Sequence, residues 1–183
     1  MASILQMTSE TLNALKGWPQ MSAVDFEAKL NANITDRVPA GSVVSLNADL
    51  EFVLGVDSST TNPMPMFTFF ASDSPVVSNY GGNPSTTKGV WVPISPSGNM
   101  LALVAVGAYE LVSTNFKTGV TYAPNSKLTS PMTASSGHVP GRLEPGTLGT
   151  NVICGVVSRG VVDNGYGHDA LAFWPVFLPV YPH

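Results

Sequence analysis

Only one place in the sequence gathers acidic and histidine side chains: Asp163, His168 and Asp169, in the run DNGYGHD. Such a trio is raw material for metal ligation or general acid–base work, but either use needs converging geometry and supporting partners. Lying between two apolar runs and rich in glycine, it reads as a solvated turn. Gly165 and Gly167 form a Gly-x-Gly with no strand-to-helix context, so no phosphate-cradling loop is expected there. Neither a G-x-S-x-G elbow nor a P-loop occurs. The single cysteine, Cys154, sits in VICGVV, where a thiol packs as a small hydrophobe with nothing nearby to lower its pKa. It is expected to be buried and unreactive, and a lone cysteine excludes an intramolecular disulfide. Trp91 and Trp174 are candidates for a sugar-stacking platform, with core packing as the competing reading. Asn33-Ile34-Thr35 matches the glycosylation triplet, which matters only in a secreted protein. The residues point away from an enzyme, and no catalytic residue, metal ligand or cofactor is expected.

The elements that would position any site are strands. At 183 residues the chain suits one domain with room for a sizeable core. Charged residues make up 11% of it, against roughly 25% in an ordinary soluble domain. With 17 glycines and 15 prolines spread along the chain, many short strands joined by turns are expected, under a Ser/Thr/Asn-rich surface. A net charge of −4 argues against a nucleic-acid partner, which needs a basic footprint. No apolar run reaches the roughly 18 residues of a membrane-spanning helix, so no membrane association is expected. The opening MASILQMTSE lacks a basic region and a long apolar core, so no secretory signal is expected.

Taken in order, residues 1–36 read as a short, partly helical N-terminal arm and residues 37–183 as a β domain. Thr8 and Ser9 can cap a turn over Glu10–Lys16, and Ser22 with Asp25 gives an S-x-x-D pattern ahead of DFEAKL. Helices this short need a surface, either their own domain or a neighbouring subunit. Apolar side chains alternate with polar ones from Val44 to Leu54, a half-buried strand with a bend expected near Asn47-Ala48. Met64–Ala71 and Val90–Val92 are further strands. Met100–Val106 is apolar on both faces and, through Gly107-Ala108, is expected to form a central hairpin with the alternating run that ends at Thr114. Its register would keep Glu110 out of the core. Ser130–Thr150 is the longest stretch without periodicity, and loops of that length are usually functional or disordered. Val152–Val157 is doubly apolar, and Pro175 in LAFWPVFL requires a bulge or an edge. The fold class is all-β, a small β-barrel or β-sandwich.

Three runs carry a family resemblance: Tyr122–Thr129 (YAPNSKLT), Val152–Gly160 (VICGVVSRG) and Leu171–Pro179 (LAFWPVFLP). A Y-x-P-x-x-x-L-T element, a Gly-rich connector and an apolar strand ending in S-x-G resemble the C-terminal part of capsid decoration, or cement, proteins of tailed bacteriophages. The resemblance covers roughly residues 100–179. It implies a tulip-like β protein bound outside a phage capsid, often a homotrimer, with the major capsid protein as partner and no catalytic residues. The implied location is the virion exterior after synthesis in the host cytoplasm. The lattice contacts are then expected from the arm, through Ile4, Leu5, Leu12, Leu15 and Trp18, and from the long loop, through Met132, Val139 and Leu143. Packing of Trp18 on its own barrel is the competing reading. A receptor- or glycan-binding module of a phage tail or fibre is the alternative function.

Overall fold

A computed structural model of the chain describes residues 12–16, 24–57, 62–68, 71–72, 75–77, 91–93, 99–104, 110–165 and 167–180. Among them run β1 (Leu12–Lys16), β2 (Val24–Lys29), β3 (Val43–Leu46), β4 (Phe52–Leu54), β5 (Asn62–Thr68), β6 (Pro75–Val77) and β7 (Trp91–Pro93). They are followed by β8 (Asn99–Val104), β9 (Glu110–Ser113), β10 (Lys127–Thr129), β11 (Glu144–Pro145), β12 (Ile153–Asp163) and β13 (Asp169–Leu178). The strands form a six-stranded sheet in the order β1-β9-β13-β12-β10-β11 and a five-stranded sheet in the order β2-β8-β5-β3-β4; β6 and β7 pair separately. Every ladder is antiparallel. The protein is all-β, as the patterning predicts, but both large sheets are open and neither closes into a barrel.

One core lies between the sheets. Val43 and Phe67 reach it from the five-stranded sheet, and Leu111, Leu128, Cys154, Val157, Leu171 and Phe173 from the six-stranded one. The Phe67 and Phe173 rings meet at 5.3 Å between centroids, tilted by 48°, and so bridge the sheets directly. Strand β3 is buried on both faces: Val43 joins this core, while Val44 and Leu46 join a second cluster with Val38, Phe52 and Met66. On the far face of the six-stranded sheet Val112, Ala170 and Ala172 form a third.

Three expectations are corrected. The run Val44–Leu54 is a hairpin, β3 and β4, and not one bent strand. The side chain of Asn47 decides this, because its Oδ1 accepts the N–H groups of Asp49 at 3.0 Å and Glu51 at 2.8 Å. Leu50, in phase with the apolar alternation, sits in that turn at φ 60° and is 68% exposed. Five residues, 47–51, separate the paired Leu46 and Phe52, and a turn with an odd number of residues preserves a period of two, so alternation alone could not reveal it.

The hairpin expected around Gly107 does not form either. β8 is an inner strand of the five-stranded sheet, between β2 and β5, whereas β9 lies between β1 and β13 in the other sheet. Both are interior strands, as the doubly apolar character of β8 requires, but the chain changes sheets between them. Glu110, expected outside, is buried and accepts a hydrogen bond from Arg159 Nε at 2.9 Å. The charge is tolerated there because a guanidinium from β12 reaches it.

The third correction concerns residues 1–36. Where helical turns were expected, Leu12–Lys16 and Val24–Lys29 are strands β1 and β2. β1 pairs with β9, and β2 pairs with β8 over six consecutive residues. A helix of one or two turns is marginal alone, and an unpaired sheet edge offers a full ladder of hydrogen bonds instead. Pro175 behaves as its chemistry demands. It lies opposite Gly155 beside a register shift, beyond the three residues Leu171–Phe173 through which β13 pairs with β9.

Candidate functional site

The long aperiodic stretch from Ser130 to Thr150 is a pinned projection, not a slack loop. β10 leads into it and β11 returns, with Thr129 opposite Glu144 and Leu128 opposite Pro145. At its base Val56 N–H donates to Ser130 O at 3.0 Å and Val43 N–H to Gly141 O at 2.8 Å. Leu143 N–H donates to Asn115 O at 3.0 Å, and Lys117 N–H to Leu143 O at 2.8 Å. At its tip Ser135 and His138 exchange backbone hydrogen bonds, and Arg142 Nη2 donates to Gly137 O at 2.7 Å. Beneath it Gly55, at φ 80°, lets the backbone of Pro131 approach so closely that a Cβ there would lie 2.0 Å from Pro131 O.

These constraints bring together charged groups from three places. The Glu144 carboxylate, its side chain only 4% exposed, accepts from His138 Nδ1 at 2.8 Å, and Lys117 Nζ lies 3.8 Å from its other oxygen. The contact with the carboxylate places a hydrogen on Nδ1. The phenol of Tyr122 closes the cluster from below, donating to Lys117 O at 2.8 Å and packing edge-on against Phe116. Burial, and then the negative charge of Glu144, push the Tyr122 pKa up to about 12.

Beside the cluster opens a cleft of about 410 Å³. Val56, Pro131, Met132, Pro145 and Val152 supply its apolar walls, and Asp57, Ser130, Thr133, Ser135, His138 and Asn151 its polar ones. Two polar atoms there are buried without a hydrogen bond: Ser130 Oγ and Glu144 Oε2. Unsatisfied buried groups are few in native proteins, and each calls for an explanation.

The residues expected to contact a partner scatter. Ile4, Leu5 and Trp18 lie outside the described residues. Leu12 and Leu15 fall on β1, with Leu12 opposite Ser113. Met132 is half-buried at the cleft, and Val139 is 47% exposed near the loop tip. Leu143 is fully buried in the main core, a correction, since its bridge to Phe116 turns it inward and away from any partner. Leu148, 60% exposed, was not singled out from the sequence. Nor were Lys117, His138 and Glu144, which share no motif spacing.

The DNGYGHD cluster is a hairpin turn: Asp163 Oδ1 accepts the N–H groups of Gly165 and Gly167. Trp91 and Trp174 lie in different sheets, on β7 and β13. Among the described residues no group of three or more His, Cys, Asp or Glu is placed to hold a metal ion, and no helix is long and apolar enough to cross a membrane. No family model, curated protein or solved structure matches the chain.

Cys154 is buried with its thiol against Leu128 O at 3.5 Å, and burial pushes its pKa from 9.0 to about 12. Tyr122 is shifted in the same direction, from 10.0 to about 12. Both groups favour the protonated form in the folded state. Their contribution to stability is therefore complete below the ordinary values and is lost as pH rises towards 12. Urea midpoints are expected to hold up to about pH 8.5 and to fall steadily above it, and Cys154 should resist thiol reagents at neutral pH. A flat profile from pH 8 to 11, or labelling within seconds in native buffer, would contradict this.

Proposed function

We propose that the protein is a structural component of a tailed-phage virion that binds the outer face of the capsid and stabilises the shell, with the major capsid protein as partner. The observation that carries the reading is the Ser130–Thr150 projection, which holds Val139 and Leu148 out in solvent on a hydrogen-bonded frame. A preorganised loop loses little conformational entropy when it docks, so even small apolar contacts yield net affinity. Repetition over a lattice then multiplies it. The three segments that resemble decoration proteins also support the reading, because they are neighbours in one sheet. Leu128 of β10 is opposite Gly155 of β12, and Val156 is opposite Trp174 of β13. Two facing antiparallel sheets with a shared core are compatible with a tulip-like sandwich. In this reading the protein acts as a homotrimer on the virion exterior, and the segment from Met1 to Asp36 adds a second contact through Ile4, Leu5 and Trp18.

The test is co-sedimentation with empty capsids together with light scattering. The full chain is expected to pellet with capsids and to scatter as three 19.2 kDa chains. Val139→Glu with Leu148→Glu should leave that mass unchanged and weaken capsid binding by at least about tenfold, since each puts a charge on a dry contact. Deletion of residues 1–11, which leaves β1 in place, should weaken binding further. Unchanged binding by the double variant would remove the loop from the interface, and a stable monomer would remove the trimer.

A further inference from the structure

We propose that the cleft beside the Lys117–Glu144–His138 cluster is a binding site for a neutral, polyhydroxylated ligand of mono- to disaccharide size. Its volume of about 410 Å³ lies in the ordinary range for small-molecule sites. The charges around it favour a neutral occupant. Glu144 is already matched by Lys117 and His138, and the second carboxylate in the lining, Asp57, adds no positive charge for an anion such as phosphate. The remaining polar lining consists of groups that pair with hydroxyls. Thr133 and Ser135 donate and accept, Asn151 adds an amide, and His138 offers its second ring nitrogen. Pro131, Met132 and Pro145 give the flat apolar contacts that the C–H face of a sugar ring needs.

The independent sign of a ligand is Ser130. It lines the cleft, is wholly buried, and its hydroxyl has no hydrogen-bond partner. Leaving such a hydroxyl unpaired costs stability, which an alanine in its place would not. A ligand hydroxyl that reaches it removes the penalty. Among the described residues no aromatic side chain lines the cleft, so affinity is expected near the millimolar range. The inference concerns the free protein and does not depend on capsid binding.

The experiment is titration of the isotope-labelled full chain, followed by backbone amide shifts. The probes are glucose, galactose, N-acetylglucosamine, maltose and lactose, with inorganic phosphate as the charged comparison. At least one saccharide is expected to give saturable shifts at Thr133, Ser135, His138 and Asn151, with phosphate inert at those residues. Ser130→Ala should fold at least as stably as the parent and bind about five- to tenfold more weakly, the loss of one hydrogen bond. His138→Ala should weaken binding by at least as much; if it fails to fold, His138→Gln, which can still reach Glu144, replaces it. The proposal is overturned if no saccharide gives saturable shifts up to about 50 mM, well above the expected affinity. It is equally overturned if phosphate binds the same residues more tightly, or if Ser130→Ala binds as the parent does. Co-sedimentation with capsids has no bearing on any of these outcomes, so the two readings fail separately.

Discussion

Phe173→Ala is expected to cost the fold about 3–5 kcal/mol, enough to take a large part of the stability of a domain this size. The ring is fully buried on β13 and packs on Phe67 across the gap between the two sheets, so its loss leaves a cavity that neither sheet can fill. Gly155 sharpens the effect, because a Cβ there would lie 2.8 Å from the Phe173 ring and the backbone of β12 is shaped around it. For a chain of this length the melting temperature should fall by roughly 6–20 °C. Leu148→Ala, on the exposed loop, should change stability by less than about 0.5 kcal/mol. Comparable losses for the two variants would mean that the sheets are not joined through this ring pair.

Gly55→Ala is the second large effect, and it acts on the site as well as on the fold. The residue lies at φ 80°, which costs a non-glycine residue about 1–2 kcal/mol. A Cβ would also meet Pro131 O at 2.0 Å and Met132 N at 2.9 Å, and these are backbone atoms with no rotamer to escape into. The Pro131–Met132 segment must move, and with it the hydrogen bond from Val56 N–H to Ser130 O. Gly119→Ala isolates the conformational part, since Gly119 has φ 76° and nothing within 4 Å of the added carbon. Urea titration is expected to show Gly55→Ala losing at least about 2 kcal/mol more than Gly119→Ala, the usual scale of backbone overpacking. Amide exchange at Val56 should accelerate in the first variant only. Equal losses would show that the close approach carries no energetic weight, and the loop base would then have to be held elsewhere.

Much of the fold is readable in local pattern, because burial acts on each residue where it stands. The doubly apolar runs mark interior strands: β8 and β12 are each flanked on both sides, and Cys154, surrounded by apolar neighbours, is buried. Proline chemistry placed Pro175 at a break in pairing, and the glycine-rich DNGYGHD run is a turn. Pattern fails where one signal has two geometric solutions. Alternation from Val44 to Leu54 is the same for one long strand and for a hairpin whose turn has an odd number of residues, here five, and the decision rests on the Asn47 side chain. Likewise the Gly107-Ala108 pair is a turn signal, but it cannot say whether the strands it joins return to one sheet or part into two.

The candidate site was the least legible part. Leu143 and Val139 look alike as apolar residues in an aperiodic loop, yet Leu143 is buried through its bridge to Phe116 while Val139 stands in solvent. Lys117, His138 and Glu144 form no motif, because their meeting depends on the β10–β11 pairing and on the hydrogen bonds between 115–117 and Leu143. What the sequence by itself determined is the all-β class of the main domain, the low fraction of charged residues, the DNGYGHD turn and the burial of Cys154, all set by a residue's own transfer energy and backbone preference. Only the tertiary structure decided which strands pair, that Glu110 is buried against Arg159, and that a glycine at 55 lets the Pro131 backbone approach closely. Those outcomes depend on contacts between groups far apart in the chain, whose energies exist only once the sheets have come together.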